Sequence, residues 1–392
     1  MLISLAFILI CGFALSGIFQ KLNLPGLIGM LVTGIVLGPH VLNQIDGGIL
    51  EISSDLREIA LIVILTRAGL SLDIKDLKKV GRPAILMCFI PATLEIIGSI
   101  LLAPPLLGVT VVEAAIIGAM LGAVSPAVIV PKMLHLMENG YGRKKSIPQL
   151  IMAGASADDI YCIVLFTAFI GVAKGGDFDL MTLLKVPVSI LTGLAAGILA
   201  GFLLVRVFQL FHIRDTVKVL IILGISFLLV GYEEKISEFL PFSGLLAVMA
   251  LGGSILKQKE EVARRISVKF SKIWVASELM LFVLVGAAVD IKYAYRAGIA
   301  AVVLILGALV FRSAGVFLSL MKSGIKRKEA IFCNLAYFPK ATVQAAVGAI
   351  PLAAGISAGN IILSIAVLSI IITAPLGALG IELTYKKLLT KD

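Results

Sequence analysis

Charged side chains are scarce in this sequence. Asp, Glu, Lys and Arg make up only 15% of its 392 residues, whereas hydrophobic types make up 59%. A soluble domain carries about 25% charged and about 45–50% apolar residues, so this chain has too little polar surface to cover a water-soluble core. The mean hydropathy of +1.08 agrees. The composition therefore excludes an ordinary soluble domain and predicts a chain whose solvent is largely lipid.

Cysteine and histidine are also rare, and they are scattered. The four Cys and three His have the spacing of neither a disulfide framework nor a metal site, so we expect packing, loop or interface roles for them. The sequence has no Gly-x-x-x-x-Gly-Lys-Ser/Thr motif, which argues against a nucleotide cofactor and ATP-driven work. The scattered cysteines and histidines are Cys11, Cys88, Cys162, Cys333, His40, His135 and His212.

Long apolar runs are abundant. There are thirteen, most of them long enough to cross a hydrocarbon core as a helix. They predict an all-α membrane protein with about 13 transmembrane helices. The first run lacks a basic start and a cleavage site, so we expect it to be retained rather than removed as a signal peptide. The runs span residues 1–20, 25–43, 58–73, 83–103, 110–134, 147–172, 183–209, 216–232, 241–256, 273–290, 297–320, 329–351 and 358–383.

Lys and Arg are concentrated in alternate loops. Short basic loops stay in the cytoplasm, so this pattern predicts an N-terminus outside the membrane and a cytoplasmic C-terminus. The net charge of +10 is dispersed over these loops, which indicates contact with anionic lipid head groups rather than with nucleic acid. The basic positions fall within 75–82, 143–145, 214, 257–272, 322–328 and 386–387.

The second half of the sequence resembles the first half in order. REIALIVILTRAGLSLDIK (57–75) matches SELMLFVLVGAAVDIK (277–292), and Glu-Ala pairs at 113 and 329 each open a helix interrupted by proline. The interruptions are predicted at Ser125-Pro126 and Pro131 in the first half and at Pro339 in the second. The helix count makes the repeats inverted, as in many secondary transporters. Backbone groups freed by proline cannot face lipid, so the two broken helices are expected to cross near the bilayer midplane and form a binding site.

Five charged residues lie at membrane depth, away from the ends of their apolar runs, where a charge is costly and is usually paired or functional. Asp158 and Asp159 are neighbours, so their side chains point about 100° apart on a helix and can address one cavity from two directions. Carboxylate oxygens suit a small hydrated cation, and protons compete for the same oxygens. The other three residues are Glu95, Arg312 and Lys340.

Three motifs make the chain resemble a known family. They are LTRAGL (65–70), ADD (157–159) and FPKATVQA (338–345), of which the last is specific. Over essentially its whole length the chain resembles the monovalent cation/proton antiporters of the NhaA/NapA type, nearest to the NHA-type sodium/proton exchangers. The resemblance implies a transporter, not an enzyme, that exchanges sodium or lithium for protons and needs no cofactor.

The resemblance also implies roles for individual residues. Asp159 would be the principal ligand of the cation and the proton, with Asp158 as its neighbour. Ser125 and Ser156 would supply further oxygens, and Thr342 is a third candidate. Alternatively, Ser125 and Thr342 serve only to satisfy backbone groups freed at the breaks.

Two basic residues complete the expected site. Arg312 would pair with Glu95, chiefly as a stabilising ion pair. It stands where related exchangers with an Asp-Asp pair have Lys, and since Arg stays charged, proton release from it is not expected. Lys340 is expected to bond Asp158 when sodium is absent and so to act as a competing cation.

A two-part architecture follows from the same resemblance. Residues 83–172 and 297–383 would form an ion-carrying core that moves like an elevator against a scaffold of residues 1–82 and 216–290, with residues 183–209 as a linking helix. We expect a homodimer that serves pH homeostasis in a bacterial or archaeal plasma membrane.

Several alternatives stay open. The two aspartates can be a structural polar knot between helices. An intramembrane aspartyl protease is disfavoured because its carboxylates must face each other, and a potassium-type channel because the filter loop is missing. A potassium/proton antiporter remains the main alternative, and a sodium-coupled solute symporter is a weaker one.

Overall fold

The computed structural model describes residues 1–22, 24–71, 81–175, 180–211, 213–289 and 291–391. These ranges are mostly helical. We number the helices α1 (Leu2–Lys21), α2 (Gly26–Leu37), α3 (Gly47–Glu51), α4 (Ser53–Ser71), α5 (Arg82–Met87), α6 (Ile90–Leu107), α7 (Val111–Gly122), α8 (Pro126–Glu138), α9 (Ile147–Gly175), α10 (Leu180–Leu210), α11 (Asp215–Gly231), α12 (Glu233–Ser237), α13 (Gly244–Gln258), α14 (Glu260–Ala287), α15 (Ile291–Leu320), α16 (Arg327–Ala336), α17 (Thr342–Val347), α18 (Ile350–Ala353) and α19 (Gly359–Leu388).

The predicted helical class is confirmed. Each of the thirteen apolar runs overlaps one helix or a set of consecutive helices. Among the described residues, six helical segments are long and apolar enough to span a membrane by length and composition. Thirteen crossings remain a prediction, because several of the other helices are short or interrupted.

The run predicted at 273–290 starts earlier in the structure, at Glu260. The first turns of α14 are too polar to count as an apolar run, but they suit a helix. Arg264 donates to Glu260 at 2.7 Å, four residues apart, a spacing that stabilises exposed helical turns. Hydropathy therefore marked the apolar part of this helix rather than its true start.

Both predicted proline interruptions are present, with one correction. The backbone is non-helical over residues 123–125, where Ser125 has φ −82° and ψ 108°, as expected for a residue that precedes proline. It is non-helical again around Pro339, between α16 and α17. The break predicted at Pro131 is wrong, because α8 continues through that position. Helices in membrane proteins tolerate proline where neighbouring groups satisfy the freed carbonyl.

The chain divides into two compact units. One comprises residues 1–54, 73–174 and 282–392, and the other residues 55–72 and 175–281. Within the second unit, glycines bring backbones close together: a Cβ on Gly69 or Gly197 would collide with the carbonyl of Met249 or Ala247 respectively. Such small-residue contacts are the usual way for helices to pack in lipid.

The first unit contains every residue of the site described below and has a close helix contact of its own. A Cβ added to Gly34 of α2 would collide with the backbone of Val283 in α14, and one added to Gly286 would collide with Leu31. The two glycines therefore let the backbones of α2 and α14 touch.

Replacing Gly34 by leucine should push these two helices apart. Overpacking of this kind costs about 1–3 kcal/mol, so we expect a lower denaturation temperature for the purified protein in detergent. Gly17→Leu is the control, because a Cβ there meets nothing within 4 Å. Equal denaturation temperatures for the two variants would contradict this account of the packing.

Candidate functional site

Four charged side chains are buried together in the first unit. Glu95 lies on α6, Asp158 near the middle of α9, Arg312 on α15 and Lys340 in the break between α16 and α17. Each is at most 1% exposed. Burying an isolated charge is very costly, so this group must be arranged as mutual partners.

Arg312 and Lys340 neutralise the two acids. Arg312 Nη1 donates to Glu95 Oε2 at 2.6 Å, and Arg312 Nη2 donates to Asp158 Oδ2 at 2.6 Å. Lys340 Nζ donates to the same Glu95 oxygen at 2.7 Å. Two carboxylates and two cations therefore form a cluster with no formal net charge.

Arg312 also binds the ends of both broken helices. Its Nε donates to the Tyr337 carbonyl at 2.8 Å, just beyond the end of α16, and its Nη1 donates to the carbonyl of Gly122, the last residue of α7. The last carbonyls of a helix lack partners within the helix and carry partial negative charge, so a cation stabilises them. One guanidinium thus satisfies two helix ends that are cut off by the breaks.

The two breaks lie against each other. The Ser125 N–H donates to the Pro339 carbonyl at 2.8 Å. Gln344 Nε2, on α17, donates to the carbonyls of Met120 and Ala123 at 2.8 and 3.0 Å. Backbone groups freed in one broken helix are therefore satisfied by the other, which is what a lipid environment requires.

Four buried oxygens, three of them in the first break and on α17 and the fourth on Asp159 of α9, are unpaired. They have no hydrogen-bond partner among the described residues and belong to Asp159 (Oδ1), Ser125 (Oγ), Thr342 (Oγ1) and Gln344 (Oε1). Asp159 as a whole is only partly buried, although it lies in the middle of α9. Buried polar atoms are nearly always satisfied, so unpaired ones point to a missing partner. Hydroxyl, amide and carboxylate oxygens together suit a hard cation.

Ser125 is informative because of its position. It is the N-cap of α8, where a serine side chain usually accepts a bond from the first turn, yet no such bond is present. Its hydroxyl is therefore not used to satisfy the backbone, and the same holds for the unpaired hydroxyl of Thr342. Among the described residues, neither hydroxyl bonds a backbone group freed at a break.

The structure differs from the sequence expectation at Lys340. That residue was expected to bond Asp158, but its ammonium binds Glu95, and Arg312 occupies Asp158 instead. The planar guanidinium can reach two carboxylates at once, which leaves Glu95 to accept both cations. The side chain of Ser156 lies outside the described part of the chain.

Sequence reasoning missed Gln344. It stands two residues after Thr342 in the specific motif, as a polar residue in a helix that is buried on all sides. The signal available in the sequence was an amide side chain in the middle of an apolar run, within the specific motif. Its unpaired oxygen adds a further candidate ligand.

Matching glutamates begin the two broken helices. Glu113 accepts the N–H of Thr110 at 2.9 Å and that of Ala358 at 3.0 Å. Glu329 accepts the N–H of Lys326 at 2.6 Å and also binds Lys145 at 2.7 Å. Each glutamate is the third residue of its helix and ties the first turn to another segment.

Comparison with known proteins gives consistent results. A sequence model of the family described as sodium/hydrogen exchanger, transmembrane, matches residues 5–387. Human sodium/hydrogen exchanger 9B2 is 37% identical over 387 residues, which cover 94% of this chain and 70% of that protein. Human sodium/hydrogen exchanger 9B1 is 32% identical over 384 residues, covering 94% and 73% respectively.

Solved structures show a similar fold. The sodium proton antiporter MjNhaP1 from Methanocaldococcus jannaschii superposes with a TM-score of 0.84, covering 98% of this chain and 97% of that one at 21% identity. At this identity the likeness concerns the fold alone.

Removing the Arg312 side chain should destabilise the site severely. Arg312→Ala leaves two buried carboxylates and two helix-end carbonyls short of a donor, and breaking a buried pair costs roughly 3–5 kcal/mol. Arg312→Lys should have an intermediate denaturation temperature, because lysine keeps the positive charge but lacks the several directed N–H donors of the guanidinium. Denaturation temperature in detergent checks this, with the exposed Arg206→Ala as control. A stability of Arg312→Ala equal to that of Arg206→Ala would show that the cluster is not a stabilising unit.

Proposed function

This chain belongs to the family of transmembrane sodium/hydrogen exchangers, and from that premise we propose that it exchanges sodium for protons across a membrane at Asp159. The observation that carries the proposal is the unpaired, buried Oδ1 of Asp159, beside an Asp158 that Arg312 already neutralises. Of the two neighbouring carboxylates, only Asp159 is left free to take a cation or a proton.

Competition between the two ions follows from this arrangement. A buried carboxylate is stable only when it carries a proton or faces a positive charge. Sodium and the proton each meet that need at Asp159, and they exclude each other. Ser125, Thr342 and Gln344 supply uncharged oxygens, which replace the water lost by sodium but have no comparable value for a proton. Ser156 is retained as a further candidate ligand on sequence grounds.

The charge balance of the cluster supports exchange of one proton for one sodium ion. Glu95 and Asp158 are compensated by Arg312 and Lys340. When Asp159 trades a proton for sodium, the charge of the whole site does not change. A second proton would require Asp158 to leave Arg312, which breaks a buried ion pair. Lys340 then acts by holding Glu95, so Lys340→Ala is expected to alter apparent sodium affinity indirectly.

The proposal also includes an elevator-type movement of the site across the membrane. The two broken helices satisfy each other's backbones and share Arg312, so they are suited to move as one body that carries the site. The similar roles of Glu113 and Glu329 support an inverted repeat. On this view residues 83–172 and 297–383 form the moving core, residues 1–82 and 216–290 a dimerising scaffold, and residues 183–209 the link between them.

Location and orientation are proposed on the same footing. The family and the apolar helices make this an integral membrane protein. The basic loops favour a cytoplasmic C-terminus and contact with anionic lipid. The two relatives compared above are human proteins, so they lend no support to a bacterial or archaeal plasma membrane.

Lithium is a candidate second ion, and potassium/proton exchange and sodium-coupled solute uptake are the alternatives.

Exchange should depend on the charge of Asp159. In vesicles that contain the purified protein and a dye reporting the pH gradient, added sodium should release protons with wild-type protein, and Asp159→Asn should lose this response. Asp46→Asn, in an exposed loop, is the matched control and should keep it. Parallel runs with lithium, potassium and organic solutes separate the alternatives. A full sodium response from folded Asp159→Asn would overturn the assignment of the site.

The exchange should also be insensitive to membrane voltage. A one-for-one exchange moves no net charge, so vesicles clamped at zero or at an inside-negative potential should show the same rate of sodium-driven proton movement. A rate that changes with the clamped potential would mean that more than one proton moves per sodium ion and that Asp158 takes part in proton transfer.

A further inference from the structure

The hydroxyl of Tyr337 is a second unexplained polar group close to the site. Tyr337 is fully buried, and its Oη has no hydrogen-bond partner among the described residues. The ring lies under Arg312, whose guanidinium carbon is 5.3 Å from its centroid. A phenol hydroxyl can both donate and accept, and burying it unpaired is unfavourable.

The position of this hydroxyl is fixed by α9. A Cβ on Gly154 would collide with Tyr337 Oη, so the hydroxyl rests directly on the helix where Gly154 leaves space. Gly154 and Asp158 are four residues apart and share one face of α9, with a rise of about 6 Å between them.

One carboxylate oxygen of Asp158 lacks a strong donor among the described residues. Its Oδ2 accepts the bond from Arg312. Its Oδ1 is contacted by the thiol of Cys162 at 3.9 Å, and a thiol is a weak donor. Tyr337 Oη thus rests on the turn of α9 that precedes Asp158, and the Asp158 side chain leans towards that turn.

We propose that an ordered water molecule bridges Tyr337 Oη and Asp158 Oδ1, and that Tyr337 is a positioning residue for the exchange. The hydroxyl donates to the water, and the water donates to Oδ1. Two hydrogen bonds of about 2.8 Å that meet at one water span roughly 4.5 Å, and the Asp158 side chain, which leans towards the N-terminal end of α9, covers part of the rise of about 6 Å to Gly154.

This water has a consequence for sodium, given the function proposed above. With Arg312 on one oxygen and the water on the other, the Asp158 carboxylate cannot rotate. Its negative charge and its distance from the neighbouring Asp159 are then constant. Groups that orient ligands in this indirect way typically affect metal affinity by about 10- to 100-fold when they are changed.

Tyr337→Phe is a sharp test because it removes only the hydroxyl. The Tyr337 carbonyl that binds Arg312 is part of the backbone and stays in place. We expect the sodium concentration for half-maximal exchange to rise roughly 10-fold, with a maximal rate within about twofold of wild type. Tyr161→Phe is the matched control, because Tyr161 lies on α9, the helix that carries Asp158. Its hydroxyl already bonds Thr93 at 2.8 Å, so its loss should leave the half-maximal concentration unchanged.

A double-mutant cycle with Asp158→Asn links the effect to its target. If the water joins the two residues, the effects of Tyr337→Phe and Asp158→Asn on sodium dependence are not additive, whereas independent effects would contradict the proposal. If Tyr337→Phe does not fold, Gly154→Ala provides a second test, because its methyl group pushes the hydroxyl away from α9, and the half-maximal concentration should again rise.

The outcomes separate this proposal from the proposed function. Absence of sodium-driven proton release from wild-type protein would reject exchange itself. Normal exchange with an unchanged half-maximal sodium concentration in Tyr337→Phe, together with equal or higher thermal stability, would show that the hydroxyl lies in a dry pocket and would overturn the water bridge alone.

Discussion

The buried guanidinium of Arg312 is the group on which the rest of the site depends. It holds Glu95 on α6, Asp158 on α9 and the terminal carbonyls at Gly122 and Tyr337, where the two broken helices stop. No other side chain type has a permanent charge and enough directed donors to serve four acceptors. Without it, two helix ends and two carboxylates would compete for partners in a medium that supplies none.

The two neighbouring aspartates differ in their partners. Asp158 accepts a bond from Arg312, which also binds the ends of both broken helices, whereas the Oδ1 of Asp159, like the side-chain oxygens of Ser125, Thr342 and Gln344, has no partner among the described residues. In the proposed function, stability and exchange therefore fall to different carboxylates. A change of the ion at Asp159 would then leave the ion pairs of Arg312 intact.

The sequence predicted much of the site because polar groups are costly in a membrane. A charge or a proline in an apolar run has few acceptable explanations, so the breaks near Ser125 and Pro339 and the importance of the buried charges could be predicted. Sequence reasoning failed where several partners were chemically equivalent. Lys340 could bond either acid, and only the reach of Arg312 decided that it would be Glu95. Sequence reasoning also failed at Pro131, because a proline inside a membrane helix need not end it when neighbouring groups satisfy the freed carbonyl.

Composition and local pattern were enough to predict the class of the molecule, its apolar helices, the family it resembles and the set of residues from which a site could be made. They were enough because the cost of polar groups in lipid acts on each segment separately. The pairing of the buried charges, the unpaired hydroxyl of Ser125 and the contacts of Gln344 and Tyr337 became visible only in the folded chain. Hydrogen bonds and ion pairs depend on distance and direction between segments far apart in the chain, and these are fixed only when the helices pack.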